Sequence, residues 1–281
     1  MSAAAPLEKT ATLEKPEKLQ KLMEKITPVG RFRADNDALR DATELRRRLA
    51  DTGYLFIKGA LNKEALLNLR RDILTLCQEH GWLDASVPLI DGHFAGRAFP
   101  DYSTEYMALY RKLIKMESFN AFSHSPEIVK FFEHLLGGEI LPHPRNIARI
   151  SFPRHYTNTT QPHQDFFYIR GTPETYTAWI PVGDCPIELG GLALLEGSHK
   201  LGFLKHEPAV GAGGNGIRTE ELGLRWLAAD YEFGDYILFH SHTIHGALDN
   251  HTEKRLRISL DYRYQLAKEP VDPSSLRPHG G

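Results

Sequence analysis

The chain has 281 residues, of which 41% are hydrophobic, 25% charged and 10% aromatic, the profile of an ordinary globular protein. Lys plus Arg number 34 against 36 Asp plus Glu, a formal charge of −2. That balance lacks the cationic surplus that nucleic-acid or anionic-membrane partners require. The two cysteines, Cys77 and Cys185, are too few for a disulfide framework and fit a reducing compartment.

The predicted elements follow in chain order. Residues 1–27 alternate Lys and Glu with scattered Leu and hold no apolar stretch, so they read as a flexible charged leader rather than a secretory signal. No apolar run anywhere approaches the roughly 18 residues of a membrane helix. A cytoplasmic protein without a membrane partner is expected. Leu39, Leu45 and Leu49 mark one face of a helix, and Tyr54-Leu55-Phe56-Ile57 reads as a buried strand. Asn62 caps a helix whose Leu66, Leu69, Ile73 and Cys77 recur at three- and four-residue steps, closing at Gly81. Further helices are predicted from Thr104 to Glu117 and from Pro126 to Gly137-Gly138.

Beyond residue 138 the signals are short strands: Arg149 to Phe152, Tyr176 to Val182, Leu192 to Leu195 and Tyr236 to Phe239. In a further strand, Leu256, Ile258, Leu260, Tyr262 and Tyr264 alternate with Arg255, Arg257, Ser259, Asp261 and Arg263, giving one apolar and one polar face. Helices first and strands later suggest an α+β, mainly β domain over 28–268, with a helical half to about 138 and a β half from 139. Residues 269–281 read as a flexible tail. Gly211-Ala-Gly213-Gly-Asn-Gly216 spells G-x-G-x-x-G but lacks the preceding strand, the following helix and the acidic residue of a dinucleotide site. It reads as a loop between strands that covers a pocket, and residues 93–110 are expected to supply another part of that pocket.

Among the fourteen histidines, two groups stand apart. In a strand, i and i+2 point the same way, so His163 and Asp165 project together with Gln164 on the opposite side. Two His and one carboxylate on one face of an octahedron, with three positions open, form the facial triad of non-haem Fe(II) oxygenases. The third ligand comes from His240, His242, His245 or His251. Asp249-Asn250 is a turn signal, and folding back around it sets His245 beside Arg255 on a paired strand. An arginine there suits a dicarboxylate that chelates the metal at one end, and Arg257 on the same face is the rival.

His163-Gln-Asp165, Trp179, Gly191-Leu192 leading to Gly197-Ser-His-Lys200, Gly234-Asp235, Phe239-His240, Ile244-His245-Gly246 and Arg255-Leu-Arg-Ile-Ser259 stand in this order over residues 146–264. The set resembles the phytanoyl-CoA dioxygenase family of Fe(II)/2-oxoglutarate-dependent oxygenases. The resemblance implies a double-stranded β-helix, a jelly-roll, cupin-like barrel with the N-terminal helices packed on one sheet. It implies His163, Asp165 and His245 as the metal ligands, Arg255 rather than Arg257 as the 2-oxoglutarate arginine, and Trp179 near the cosubstrate. It also implies oxidation, most simply hydroxylation, of a small organic molecule with O2 consumed and succinate and CO2 released. Asp165 weighs against halogenation, which needs a small residue at that position. Ala247 stands where some relatives have a serine that assists the cosubstrate carboxylate. The competing readings are a cupin-like metal-dependent isomerase or hydrolase and a non-catalytic ligand-binding barrel.

Overall fold

The structure, a computed structural model, describes residues 25–279. The leader expected over residues 1–27 therefore lies almost wholly outside the described residues; Ile26 packs against a small apolar cluster that includes Ile244 and Leu248.

Among the described residues the first elements are β1 (Gly30–Arg31), the helix Ala42–Thr52 and β2 (Tyr54–Ile57). The helix starts where the Asp41 side chain accepts from the amides of Thr43 and Glu44, both at 3.0 Å. It stops at Gly53, whose φ of 84° is the left-handed conformation that favours glycine. A Cβ at Gly53 would also stand 2.5 Å from His199 Nδ1. The helix Lys63–Glu79 is capped by Asn62 as predicted, its Oδ1 accepting from Ala65 N. The helix expected from Thr104 to Glu117 instead ends at Leu113, and a second short helix runs Glu117–Phe122. That break lets Phe119 and Phe122 lie against Tyr262, with ring centroids at 5.7 and 6.3 Å. The helix Pro126–Leu136 ends at Gly137.

The strands that follow are β3 (Ile140–Pro142), β4 (Ile147–Ser151), β5 (Tyr176–Pro181), β6 (Leu192–Leu195), β7 (Glu207–Pro208), β8 (Asn215–Gly216), β9 (Trp226–Ala228), β10 (Tyr236–His240), β11 (His245–Ala247) and β12 (Arg257–Leu266). They form a six-stranded sheet, in which β2-β10-β5-β12-β3 lie in order and β4 also pairs β12, and a four-stranded sheet in the order β1-β9-β6-β11. β7 and β8 pair only with each other. No sheet closes on itself among the described residues.

Alternation along the strands of the large sheet builds two cores. Leu55, Ala178, Ile180, Leu238, Leu260, Tyr262 and Tyr264 face the helices, where Leu45, Leu66, Ile73, Leu109 and Phe132 meet them. Trp179, Ile237 and Phe239 face the other way, against Leu192, Leu194 and Leu227 of the small sheet. Each fully buried aliphatic or aromatic side chain contributes about 1.5–3 kcal/mol, so the helical layer and both sheets are held mainly by area.

Two expectations change. β11 does not fold back on β12: β11 lies in the small sheet and β12 in the large one, so residues 248–256 carry the chain between sheets. The turn itself is real. Asn250 Nδ2 donates to Arg255 O at 2.8 Å, and its Oδ1 accepts from Thr252 N and Oγ1. Second, the segment expected as a loose tail packs back. Thr172 N donates to Pro270 O, Ser275 Oγ donates to Ile169 O, and His279 Nδ1 stands 2.6 Å from Tyr110 Oη.

Candidate metal centre

His163 and His245 come from distant parts of the chain but form a β-bridge, each backbone N–H donating to the other's carbonyl at 2.9 and 3.0 Å. Their rings lie 4.2 Å apart, centre to centre. Asp165 completes the group: its Oδ1 is 3.8 Å from His163 Nε2 and 3.9 Å from His245 Nε2. Each of the three offers a ligand atom within 4.8 Å of the others, and no other such group of His, Cys, Asp or Glu occurs among the described residues.

His163 and Asp165 do not lie on one strand. Only His163 is strand-like; Asp165, with φ −60° and ψ −32°, begins the one-turn helix Phe166–Ile169. The side chains still converge, because the helix turns the carboxylate back toward the bridge. Gln164 points away as expected, bonding Gly202 O and His242 O and accepting from Leu204 N.

The protonation states suit a metal. His163 Nδ1 donates to Gln161 O at 2.8 Å and His245 Nδ1 to Thr243 O at 3.0 Å, which leaves a lone pair on each Nε2. Burial holds both imidazoles below the ordinary histidine range, with their mutual repulsion adding to it at His163. For Asp165, burial acts upward but is outweighed, chiefly by the Arg263 guanidinium, so the carboxyl stays well below its usual range. Arg263 donates to both carboxylate oxygens, Nη2 to Oδ1 at 3.1 Å and Nε to Oδ2 at 3.2 Å, and the Thr177 hydroxyl donates to Oδ2. Arg263 and Thr177 face each other across β12 and β5. Two neutral imidazoles and one ionised carboxylate are the donor set of a facial triad, so the residues present fit an Fe(II) ion.

Trp179 and Arg257 line the same buried pocket as His163 and His245, together with Thr160 and Ala247. Arg257 is 4% exposed, donating to Gly190 O at 3.0 Å and to Ser259 Oγ at 2.7 Å. Arg255 is elsewhere. It forms a bridge with His93, its side chain donates to Asp184 O, and it lines neither this pocket nor the cavity next to it. The pairing of His245 with Arg255 required β11 and β12 to be neighbours. Their separation into two sheets removes Arg255 and brings in Arg257.

The other candidate ligands and His199 lie outside the triad. His199 bonds Ala50 O, His240 lies 3.8 Å from Glu174, and His251 lies beside Tyr156. The glycine-rich segment closes the short β7–β8 hairpin and opens no helix. Its Ala212 and Gly213 line a cavity of about 440 Å3 that reaches His163 and Asp165. Asp101, Tyr102, Tyr106, Met107 and Tyr110 line it too, which places part of segment 93–110 where the sequence suggested. Arg263, Thr177 and Thr160 escaped sequence reasoning. Only the polar face of β12 offered a signal, and only for Arg263.

The profile of the phytanoyl-CoA dioxygenase family matches residues 49–259. The chain belongs to this family of non-haem iron, 2-oxoglutarate-dependent oxygenases. It is 27% identical over 264 residues to 1-deoxypentalenic acid 11-beta-hydroxylase of Streptomyces exfoliatus, covering 85% of this chain and 87% of that one. It is 25% identical over 236 residues to the human peroxisomal phytanoyl-CoA dioxygenase, covering 79% of this chain and 67% of the relative. Among solved structures, the epimerase SnoN in complex with Fe3+, alpha ketoglutarate and nogalamycin RO superposes with a TM-score of 0.59 at 20% identity, over 85% and 88% of the two chains. EctD from S. alaskensis superposes with a TM-score of 0.55 at 16% identity, over 90% and 87%. These likenesses are of fold.

Proposed function

We propose that the protein hydroxylates a small organic molecule, with His163, Asp165 and His245 holding Fe(II) and Arg257 holding the far carboxylate of 2-oxoglutarate. The observation that carries this reading is the convergence of His163, Asp165 and His245 next to a buried guanidinium: Arg257, in no ion pair among the described residues, lines both the pocket of His163 and His245 and the cavity of His163 and Asp165. The two sheets then correspond to the halves of a double-stranded β-helix, with the triad at the mouth between them. Iron, when bound, supplies the activation of O2 that couples oxidation of the substrate to decarboxylation of 2-oxoglutarate to succinate and CO2.

The protein's own residues do the rest. The Nδ1–H bonds to Gln161 O and Thr243 O aim both imidazoles. Arg263 and Thr177 keep Asp165 ionised and fix its plane. Arg257 presents its planar fork to a carboxylate, and Ser259 and Gly190 O hold that fork in place. Trp179, Phe239 and Leu192 line the cosubstrate end and exclude water, which strengthens the charge pairing. Ala247 contributes no hydroxyl. Thr160 and Ser259 are the hydroxyls close to Arg257 that take its place.

Support for a hydroxylation comes from the carboxylate at position 165 and from the hydroxylase among the relatives. We place the protein in the cytoplasm on its thiols. Cys77 and Cys185 are both free and buried, and burial pushes each up to about 12, where neither reacts readily. No helix among the described residues is long and apolar enough to cross a membrane. The test is Asp165→Ala. Succinate release from 2-oxoglutarate in the presence of Fe(II) and O2 is expected to vanish, together with Fe(II) retention on desalting; undiminished turnover refutes the site.

A further inference from the structure

The cavity beside the triad has one wall of apolar and aromatic groups, among them Met107, Ile147, Ile169 and Tyr168. Its charged groups are nearly all committed. Arg263 and Asp165 hold each other. Arg149 pairs with Asp261, Nε to Oδ2 at 2.8 Å. Arg257 belongs to the cosubstrate pocket. Asp101, which burial pushes up, is hydrogen-bonded with Tyr106.

Arg145 is different. It stands in the turn between β3 and β4, half-buried, and its carbonyl lies 3.5 Å from Arg263 Nη1, one guanidinium removed from Asp165. Its Nη1 donates to the Ser274 hydroxyl at 3.3 Å. It is in no ion pair among the described residues. Asp272 attracts it without forming an ion pair, and its carboxylate accepts from Ser274 N at 2.8 Å. The surplus of positive charge is visible in His279, whose ring faces Tyr110 in the same cavity. Burial first, then the guanidiniums of Arg149, Arg145 and Arg263, hold that imidazole down at about 4.

A half-desolvated guanidinium without a counter-charge carries a penalty that an incoming anion relieves. Its planar fork matches a carboxylate in two parallel hydrogen bonds. We propose that the substrate is a carboxylic acid with an apolar body, its carboxylate bound by Arg145 and its body laid along the Met107–Tyr168 wall toward the triad. This deepens the oxygenase reading and rests on it. Arg145 is therefore a specificity-determining residue, set against the C-terminal segment through Ser274.

The experiment is calorimetric titration of the Fe(II)- and 2-oxoglutarate-loaded protein, under argon, with matched probes. Decanoate, 1-adamantanecarboxylate and dehydroabietate are each compared with the methyl ester and the primary alcohol of the same skeleton. At least one acid is expected to bind about tenfold or more tighter than its ester. In Arg145→Gln that preference is expected to shrink to within about threefold, and Arg145→Lys, which keeps the charge but not the fork, to restore part of it. Acid and ester binding alike, an acid preference that survives Arg145→Gln, or a panel in which no acid binds overturns the proposal. The visible absorption band of the Fe(II)–2-oxoglutarate complex, recorded on the same samples, reports separately on the oxygenase reading. Its absence from the wild-type protein refutes that reading whatever the acids do.

Discussion

The two faces of β12 are buried to the same degree and serve opposite ends. Ile258, Leu260, Tyr262 and Tyr264 enter the helical layer, while Arg257, Ser259, Asp261 and Arg263 enter the space between the sheets; all eight are at most 5% exposed. The apolar face needs only area and fit. The polar face is tolerable only because each group has a partner: Arg257 with Ser259, Asp261 with Arg149, Arg263 with Asp165. Burial alone therefore does not separate core from site, whereas the partners do. Replacing such pairs by well-packed apolar groups often leaves a protein as stable or more so. Here they are arranged around a metal triad, where ionised oxygens and fixed donors are needed.

Substitutions on the two faces should separate stability from function. Leu260→Ala on the apolar face is expected to cost about 2–5 kcal/mol in urea unfolding while leaving the KM for 2-oxoglutarate unchanged. A large KM change with little loss of stability would erase the distinction. An intermediate effect is expected from pH. Burial pushes His143 down to about 4, and His279 is likewise held at about 4. The unfolded chain takes up these protons near the ordinary value of 6.5, before the folded one does. Their contribution is thus fully present above about pH 6.5 and is lost as pH falls toward 4. The urea midpoint of the metal-free protein should fall across that window, and His143→Gln should flatten part of the slope; a midpoint that rises on acidification contradicts the assignment. The smallest effect is expected at Tyr262, whose hydroxyl donates to Phe119 O at 2.7 Å. Tyr262→Phe should cost about 1–3 kcal/mol, because the ring stays and one buried carbonyl loses its partner. A loss of activity beyond that expected from unfolding would place the hydroxyl in the site instead.

Local patterns were legible in the sequence, and long-range connections were not. The i, i+2 alternation of β12 gave its two faces, since a strand has only two. Asn62 and Gly137 marked helix ends because each satisfies orphaned backbone groups by itself or through its conformation. His163 and Asp165 were visible as a pair because the spacing is short. The backbone of that pair was misread, since nothing local distinguishes a strand from the start of a single helical turn. The expected pairing of His245 with Arg255 failed for a different reason. Asp249-Asn250 states that the chain turns, but not whether it returns to the same sheet. Both arginines lie on one face in sequence, and only the crossing from β11 to β12 decides which of them reaches the triad. Thr177 and Thr160 gave no signal, as a lone threonine in a strand usually marks nothing beyond β-propensity. The C-terminal segment resembled a tail because its contacts, to Ile169, Thr172 and Tyr110, are made through few and mostly polar groups.

The central claim is that Arg257, in the pocket of His163 and His245, anchors the cosubstrate. Anaerobic titration of the Fe(II)-loaded protein with 2-oxoglutarate, followed by the visible absorption of the complex, tests it most directly when Arg255→Ala and Arg257→Ala are compared with the wild type. Arg255→Ala is expected to bind 2-oxoglutarate as the wild type does, and Arg257→Ala to weaken binding about a hundredfold, the loss of a charged two-point hydrogen bond. The opposite order, with Arg255 essential and Arg257 dispensable, would contradict the account.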